Sequence, residues 1–371
     1  MADSSWVYGL RHQARCLTAV THCTEKSKFL VGTVGVKNNA VVQLVFDEDA
    51  SEITSALYPH PDEVWDLAAC PVDEHLFFST HCSVGSDPTR DKKATLWRMM
   101  NDEENNTLEN QISLNATRLQ KILWDPRKEN SRVAALGTSN IELFAADNAE
   151  SILSFDTQDI VQDMPIGWLH NAAWKDDTLI GAHGQNMTGW DVRSGKQTFT
   201  HTSAHKATIR AIDINPNRPY HVVTGGDDAA VHIWDVRQLT EPAMTVEGHT
   251  HWVWSVAFNS FHDQLLLTSG SDTLVHLHNV VSVSSASYLK SNGEQPPPTQ
   301  SPSGEGAEGE DYWQNYRPSD GLIATYDQHE DSVYAVAWSP ADTWTFASLS
   351  YAGRVVISQV PTGEKFKILG V

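Results

Sequence analysis

Three short pieces of one stretch set the frame: His205-Lys206-Ala207-Thr208-Ile209-Arg210, then Val223-Thr224-Gly225-Gly226-Asp227-Asp228, then His232-Ile233-Trp234-Asp235. Thr224 follows His205 by 19 residues, Asp228 by 23 and Trp234 by 29. The register returns at His249 with Thr268, Asp272 and His278, and at His329 with Ser348, Ala352 and Ser358. His205 and His249 lie 44 residues apart, which is the length of one four-stranded propeller blade. Such a sheet cannot bury both of its faces alone, so the repeat predicts an all-β, seven-bladed β-propeller ring.

Working outward, the same pattern covers the chain with falling fidelity. In the last repeat, Val333-Tyr334-Ala335-Val336-Ala337-Trp338, Thr345-Phe346-Ala347-Ser348-Leu349 and Arg354-Val355-Val356-Ile357 read as three strands. Either Phe366 to Leu369 or Val7 to Leu10 could supply the strand that closes the ring. Blades are expected near 8–55, 58–115, 118–160, 163–203, 204–247, 248–327 and 328–371, all within one domain of residues 1–371. The 80 residues from His249 to His329 exceed the period by 36, and the excess falls in 285–321. That segment holds six acids, two bases, five prolines and five glycines, so it is expected to be a disordered acidic insertion. Tyr312, Trp313 and Tyr316 inside it could form a short docking motif or fold back on the ring.

A formal charge of −21 argues against nucleic acid as a partner, because phosphate binding needs clustered Lys and Arg. The start, Met1-Ala2-Asp3-Ser4-Ser5, shows no secretory signal, and no apolar run is long enough for direct membrane insertion. Four cysteines without CxxC spacing point to a reducing, cytosolic compartment.

The repeating residues invite a chemical reading. Thr, His and Asp could form a hydrolase-like triad, but a catalytic set would not recur in blade after blade. The set is expected to be structural: Asp accepts from the imidazole, the imidazole meets the hydroxyl, and the hydroxyl accepts the indole N–H. His205, Thr224, Asp228 and Trp234 form one such tetrad, and His249, Thr268 and Asp272 the core of another. His276 and His278 share one face of a strand without a third ligand at metal spacing, so no metal and no cofactor are expected. Ser194-Gly195-Lys196 lacks the remaining residues of a phosphate loop.

Two sets of residues qualify as binding sites. Trp190-Asp191-Val192-Arg193 and Trp234-Asp235-Val236-Arg237 match the box by which cullin-4 ubiquitin-ligase substrate receptors meet their adaptor. Arg193 and Arg237 would make that contact, unless each fixes the edge of its own blade. Positions three and five after each blade histidine should rise toward one mouth of the ring by strand alternation. They hold Glu63 and Trp65, Thr208 and Arg210, Trp252 and Trp254, and Ser332 and Tyr334. Aromatic and Arg side chains gathered at one mouth have the composition of a binding hot spot, although some could simply plug the channel. The acidic turns Asp47-Glu48-Asp49 and Asp102-Glu103-Glu104 should lie on the opposite face.

Several segments resemble one family, the EARP- and GARP-complex-interacting WD-repeat proteins. They are Val7-Tyr8-Gly9-Leu10 with Gln13-Ala14-Arg15, Glu63-Val64-Trp65, His251-Trp252-Val253-Trp254 running to His262-Asp263-Gln264-Leu265, and His329 to Val336. Phe346-Ala347-Ser348-Leu349-Ser350-Tyr351 is similar to that family's last blade, whereas Ala352 departs from the expected Asp. The resemblance implies a cytosolic, non-enzymatic adaptor, monomeric apart from its partners. Those partners would be subunits of EARP/GARP tethering complexes at endosomes and the trans-Golgi network, with a Rab-family small GTPase as a further candidate. The role implied is endosome-to-Golgi retrograde transport and endosomal recycling. A cullin-4 receptor and a histone-binding chromatin propeller are the alternatives.

Overall fold

Runs of β-branched and aromatic residues, cut by Asn, Asp, Gly and Pro turns, give 28 strands arranged as seven four-stranded antiparallel sheets. The computed structural model describes residues 5–101, 105–114, 116, 118–127, 131–156, 169–286 and 319–369. Six sheets are continuous in sequence: blade 1 spans 14–59, blade 2 63–114, blade 3 119–156, blade 4 169–201, blade 5 209–246 and blade 6 253–326. Each lays its strands side by side in chain order, and the first strands of neighbouring blades contact one another all the way round, which puts them at the channel and the fourth strands at the outer edge.

Blade 7 is made from both chain ends. Val333–Trp338, Thr345–Ser350 and Arg354–Gln359 are joined by Ser5–Gly9, which pairs antiparallel with Arg354–Gln359 from Ser5↔Ser358 to Gly9↔Arg354. Blade 1 therefore begins at Ala14 instead of near residue 8. Of the two candidate closing strands, the N-terminal one is used. Phe366 to Leu369 lies instead in a helix, Thr362–Leu369, which starts directly after Pro361 and buries no residue fully. Pro361 itself carries no N–H to continue a ladder, and its carbonyl accepts the amides of Glu364 and Lys365 in the first turn.

The core lies between blades. Seven apolar clusters each span two neighbouring sheets, as in Cys16, Leu30, Val64 and Phe77 between blades 1 and 2. Phe29 and Val31 of blade 1 pack with Leu349 and Ile357 of blade 7, which makes the ring circular. Each sheet thus buries both faces against neighbours. The expected insertion at 285–321 falls mainly on 287–318, which lies outside the described residues together with Tyr312, Trp313, Tyr316 and Asp102-Glu103-Glu104. Among the described residues no helix is long and apolar enough to cross a membrane.

Candidate partner-binding mouth

Polar chains staple individual blades. In blade 5, His205 Nδ1 lies 2.9 Å from Asp228 Oδ1 and His205 Nε2 lies 2.7 Å from Thr224 Oγ1. Trp234 donates its indole N–H to the same Thr224 oxygen at 2.9 Å. Asp228 only accepts, which places a proton on Nδ1 and leaves Nε2 for the threonine hydroxyl in the neutral ring. The histidine holds the Asp228 carboxyl down to about 2, against the opposing cost of burial. Gly226 is required here, since a Cβ would stand 2.9 Å from both Asp228 Oδ1 and His205 Nδ1.

Blade 6 repeats the arrangement with His249, Asp272 (2.9 Å) and Thr268 (2.8 Å), and puts His278 Nε2 3.3 Å from Thr268 where blade 5 has its indole. Blade 2 uses Ser79 between His60 (3.1 Å) and Trp97 (2.8 Å). There His60 donates to the Asp62 carbonyl, and the Asp62 carboxylate turns to His81 Nδ1 at 2.8 Å. In blade 7, His329 meets Ser348 at 2.8 Å, but His329 Nδ1 is buried without a partner because Ala352 offers no carboxylate, and Ser358 Oγ, at the tryptophan position, is buried and unpaired as well. The hydroxyls of Ser79, Thr224, Thr268 and Ser348 belong to buried residues. No substrate could reach them.

His249, Asp272 and His276 bring potential metal-ligand atoms within 4.8 Å of one another. His249 and Asp272 already satisfy each other, so a cation would have to break the tetrad. His276 keeps both ring nitrogens buried and unpaired, and burial pushes it down to about 4.

Arg237 and Arg193 are engaged by their own blades. Arg237 makes a two-pronged contact with Asp235, Nη2 to Oδ2 at 2.6 Å, and stacks 3.6 Å from the Tyr220 ring. Arg193 lies 3.4 Å from Asp191 and 3.6 Å from Asp177. Both guanidinium groups are turned toward carboxylates of this chain.

The mouth is built by one device used seven times. Every first strand carries a β-bulge at the same place, skipping Arg15, Trp65, Gln120, His170, Arg210, Trp254 and Tyr334 in the seven ladders. A bulge re-aims the extra residue and breaks the alternation. Val64 and Leu67, Ile209 and Ile212, Val253 and Val256, and Val333 and Val336 are buried three apart instead of two. Positions three and five after the histidine therefore do not share a simple period-2 face. The fifth is displayed by the bulge.

The displayed side chains meet as alternating cations and rings. Lys92 lies 5.7 Å from the Trp65 ring, and Arg15 lies 5.0 Å from Trp65, 4.9 Å from Tyr334 and 5.2 Å from Tyr351. Tyr334 packs 4.7 Å from Trp254, which is 5.9 Å from Trp252. Arg210 lies 5.3 Å from Trp254 and is clamped by Asp227 at 2.8 and 2.7 Å. Trp254 also donates to Ser271 Oγ at 2.6 Å. Each cation–ring contact is worth about 0.5–1 kcal/mol. Trp252 remains 41% exposed, enough to contact a partner.

Arg15, Lys92 and Tyr351 are members that strand reasoning missed. Arg15 has no blade histidine ahead of it to set the frame, and Lys92 and Tyr351 come from turns between second and third strands. A cavity of about 270 Å³ is lined by Lys121, Asn171, Asp213 and Trp254, so Trp254 borders this cavity as well as the mouth. Burial pushes Asp213 up to about 6, although it accepts the amides of Phe258 and Ile214.

Seven four-stranded sheets around a channel, several of them stapled by histidine–hydroxyl chains, define a WD-repeat β-propeller. A family model described as "EIPR1 beta-propeller" matches residues 2–278, and one described as "WD domain, G-beta repeat" matches 321–357. The chain belongs to the EIPR1 beta-propeller family. "EARP and GARP complex-interacting protein 1" of Homo sapiens is 32% identical over 397 residues, covering 99% of both chains. The "EARP-interacting protein homolog" of Danio rerio is 35% identical over 394 residues with the same coverage. That of Dictyostelium discoideum is 37% identical over 386, covering 96% of this chain and 95% of its own.

Proposed function

We propose that this propeller is a non-enzymatic adaptor that docks EARP/GARP-type tethering complexes through its upper mouth, the face carrying the blade histidines. The observation that carries the reading is the cation–aromatic rim, with Trp65, Arg210, Trp252, Trp254 and Tyr334 contributed by four blades. Rings and guanidinium groups on a rigid frame supply contact area at little ordering cost. The names of the relatives supply the partner class. The non-enzymatic reading is supported by the tetrads, in which the hydroxyls of Ser79, Thr224, Thr268 and Ser348 are buried and engaged inside their blades. On this reading the protein is cytoplasmic, joins endosomes and the trans-Golgi network peripherally through the tether, and supports retrograde transport and recycling.

The test is co-precipitation of tether subunits with the full chain. Trp254→Ala with Arg210→Glu should abolish capture while the melting transition persists. Undiminished capture by that folded variant would refute the assignment of the mouth.

A further inference from the structure

One part of the rim stands apart by its charge. Between blades 1, 2 and 7 lies a crevice of about 530 Å³, within the size range of ligand clefts. Arg11, His12, Arg15 and Lys37 line it, with Glu63 as its single carboxylate, in a chain of net charge −21. Among the described residues, Arg11, Arg15 and Lys37 take part in no ion pair, so even Glu63 stands beyond 4.0 Å from them. Arg210, at the same bulge position as Arg15, has its carboxylate in Asp227. Arg15 has only rings: Trp65, Tyr334 and Tyr351 surround its guanidinium, and its Nε–H is buried without an acceptor. Trp65 Nε1 is buried and unpaired beside it.

A half-buried guanidinium without a counter-ion carries an uncompensated desolvation cost, which an incoming carboxylate would relieve. The walls are already in place for one. Leu10 N donates to Gly353 O at 2.8 Å, Ala14 N to Tyr351 O at 3.2 Å and Val34 N to Gln13 O at 2.8 Å. These bonds fasten the Leu10–Gln13 connection to blades 7 and 1, so little ordering remains to be done on binding. Val36, 81% exposed, adds an apolar lip.

We infer that this crevice receives an acidic, extended segment of the partner protein, with a carboxylate seated against Arg15 and further acids along Arg11 and Lys37. The inference rests on the mouth being the docking face and names the chemistry of what enters it.

The test uses the full chain and a fluorescein-labelled hexa-glutamate peptide, acetylated and amidated, read by anisotropy at low salt. Saturable binding is expected, absent for hexa-glutamine and weakened severalfold at about 300 mM salt. Arg15→Gln should weaken it about tenfold. Arg11→Gln with Lys37→Gln, two exposed changes that leave the core untouched, should weaken it about threefold to fivefold. Arg193→Gln with Arg237→Gln, which removes equal charge away from the crevice, should leave it unchanged.

Equal loss in that control would overturn the site, as would equal binding of hexa-glutamine or no binding at all. Inorganic phosphate competing as well as the peptide would reduce the site to a small-anion pocket. Capture of anionic-lipid vesicles without the peptide would replace the protein segment with a membrane. Both results contradict the inference. If the Trp254/Arg210 variant loses tether subunits while Arg15→Gln keeps them, this inference fails and the docking reading stands. If neither loses them, the docking reading fails first.

Discussion

Trp254 and Tyr334 hold the same bulge position in adjacent blades, and their ring centroids lie 4.7 Å apart. The contact crosses a blade boundary, so the rim is one continuous surface and its residues should be coupled. Trp254 also faces Arg210 of the preceding blade at 5.3 Å. A double-mutant cycle of Trp254→Ala and Arg210→Ala should give a coupling of about 0.5–1 kcal/mol in chemical denaturation. A coupling indistinguishable from zero would mean that Trp254 and Arg210 contribute to the fold independently of each other.

Trp252, by contrast, is half in solvent and forms no side-chain hydrogen bond among the described residues. Trp252→Ala should change stability by less than about 0.5 kcal/mol. If it is a hot-spot residue, the same change should cost about tenfold or more in tether-subunit affinity. Unchanged affinity in a titration with purified subunits would remove Trp252 from the interface.

Blade 7 contains an unfinished tetrad that can be completed. Ala352 stands where Asp228 and Asp272 stand, and His329 Nδ1 has no partner. The backbone is already suitable: Ala229, Thr273 and Gly353, each following that position, all take positive φ (61°, 70° and 81°). The obstacle is Ser350, which replaces the glycine found as Gly226 and Gly270. A Cβ at Gly270 would stand 2.9 Å from Asp272 Oδ1. Ala352→Asp alone should therefore gain nothing, while Ala352→Asp with Ser350→Gly should gain about 1 kcal/mol. Additive effects of the two changes in thermal or chemical unfolding would contradict this.

Circular closure depends on five residues at the N-terminus. Ser5–Gly9 completes blade 7, Trp6 packs 4.5 Å from Phe46 of blade 1, and Tyr8 donates its hydroxyl to Ser55 at 3.0 Å. Removing residues 1–10 exposes the edge of Arg354–Gln359 and opens the seam, inviting intermolecular strand pairing. That truncation should lower Tm by more than about 10 °C and produce aggregates on light scattering. Removing residues 362–371 should cost far less, since the helix from Thr362 buries no residue fully. The reverse ranking would place the closure at the other end.

The ring was legible because the His–Thr–Asp–Trp register is rigid: each member must meet the next at hydrogen-bond distance, so spacing and structure are locked together. Blade 1 is harder to frame because Leu10 occupies the place of its histidine, so the register does not assign Arg15 to the mouth. The bulges were hidden by an assumption of strict alternation, although apolar pairs three apart, such as Val253 and Val256, were visible in the sequence. Whether Ser5–Gly9 or the C-terminal segment closed the ring was undecidable from strand propensity. Both read as short apolar runs, and only pairing with Arg354–Gln359 separates them.

Buried histidines set the acid limit of the fold. Desolvation holds His60, His183, His232, His276 and His329 down to about 4 and His278 to about 3. Their ordinary value is about 6.5, so the unfolded chain takes up protons that the fold refuses as pH falls from 6.5 toward 4. Their contribution is complete above pH 6.5 and is lost through that window. Asp213, raised to about 6, and Asp66, also raised by burial, act in the opposite sense over part of it, but as two groups against six. The Asp228 carboxyl, held at about 2, matters only at lower pH. Tm should be flat from pH 8.5 to 7 and fall steeply between about 6.5 and 4.5. His276→Leu removes two unpaired buried nitrogens, so it should leave stability at pH 7 unchanged or higher and make the acid slope shallower. An unaltered slope in that variant would show that His276 is not among the groups that resist protonation.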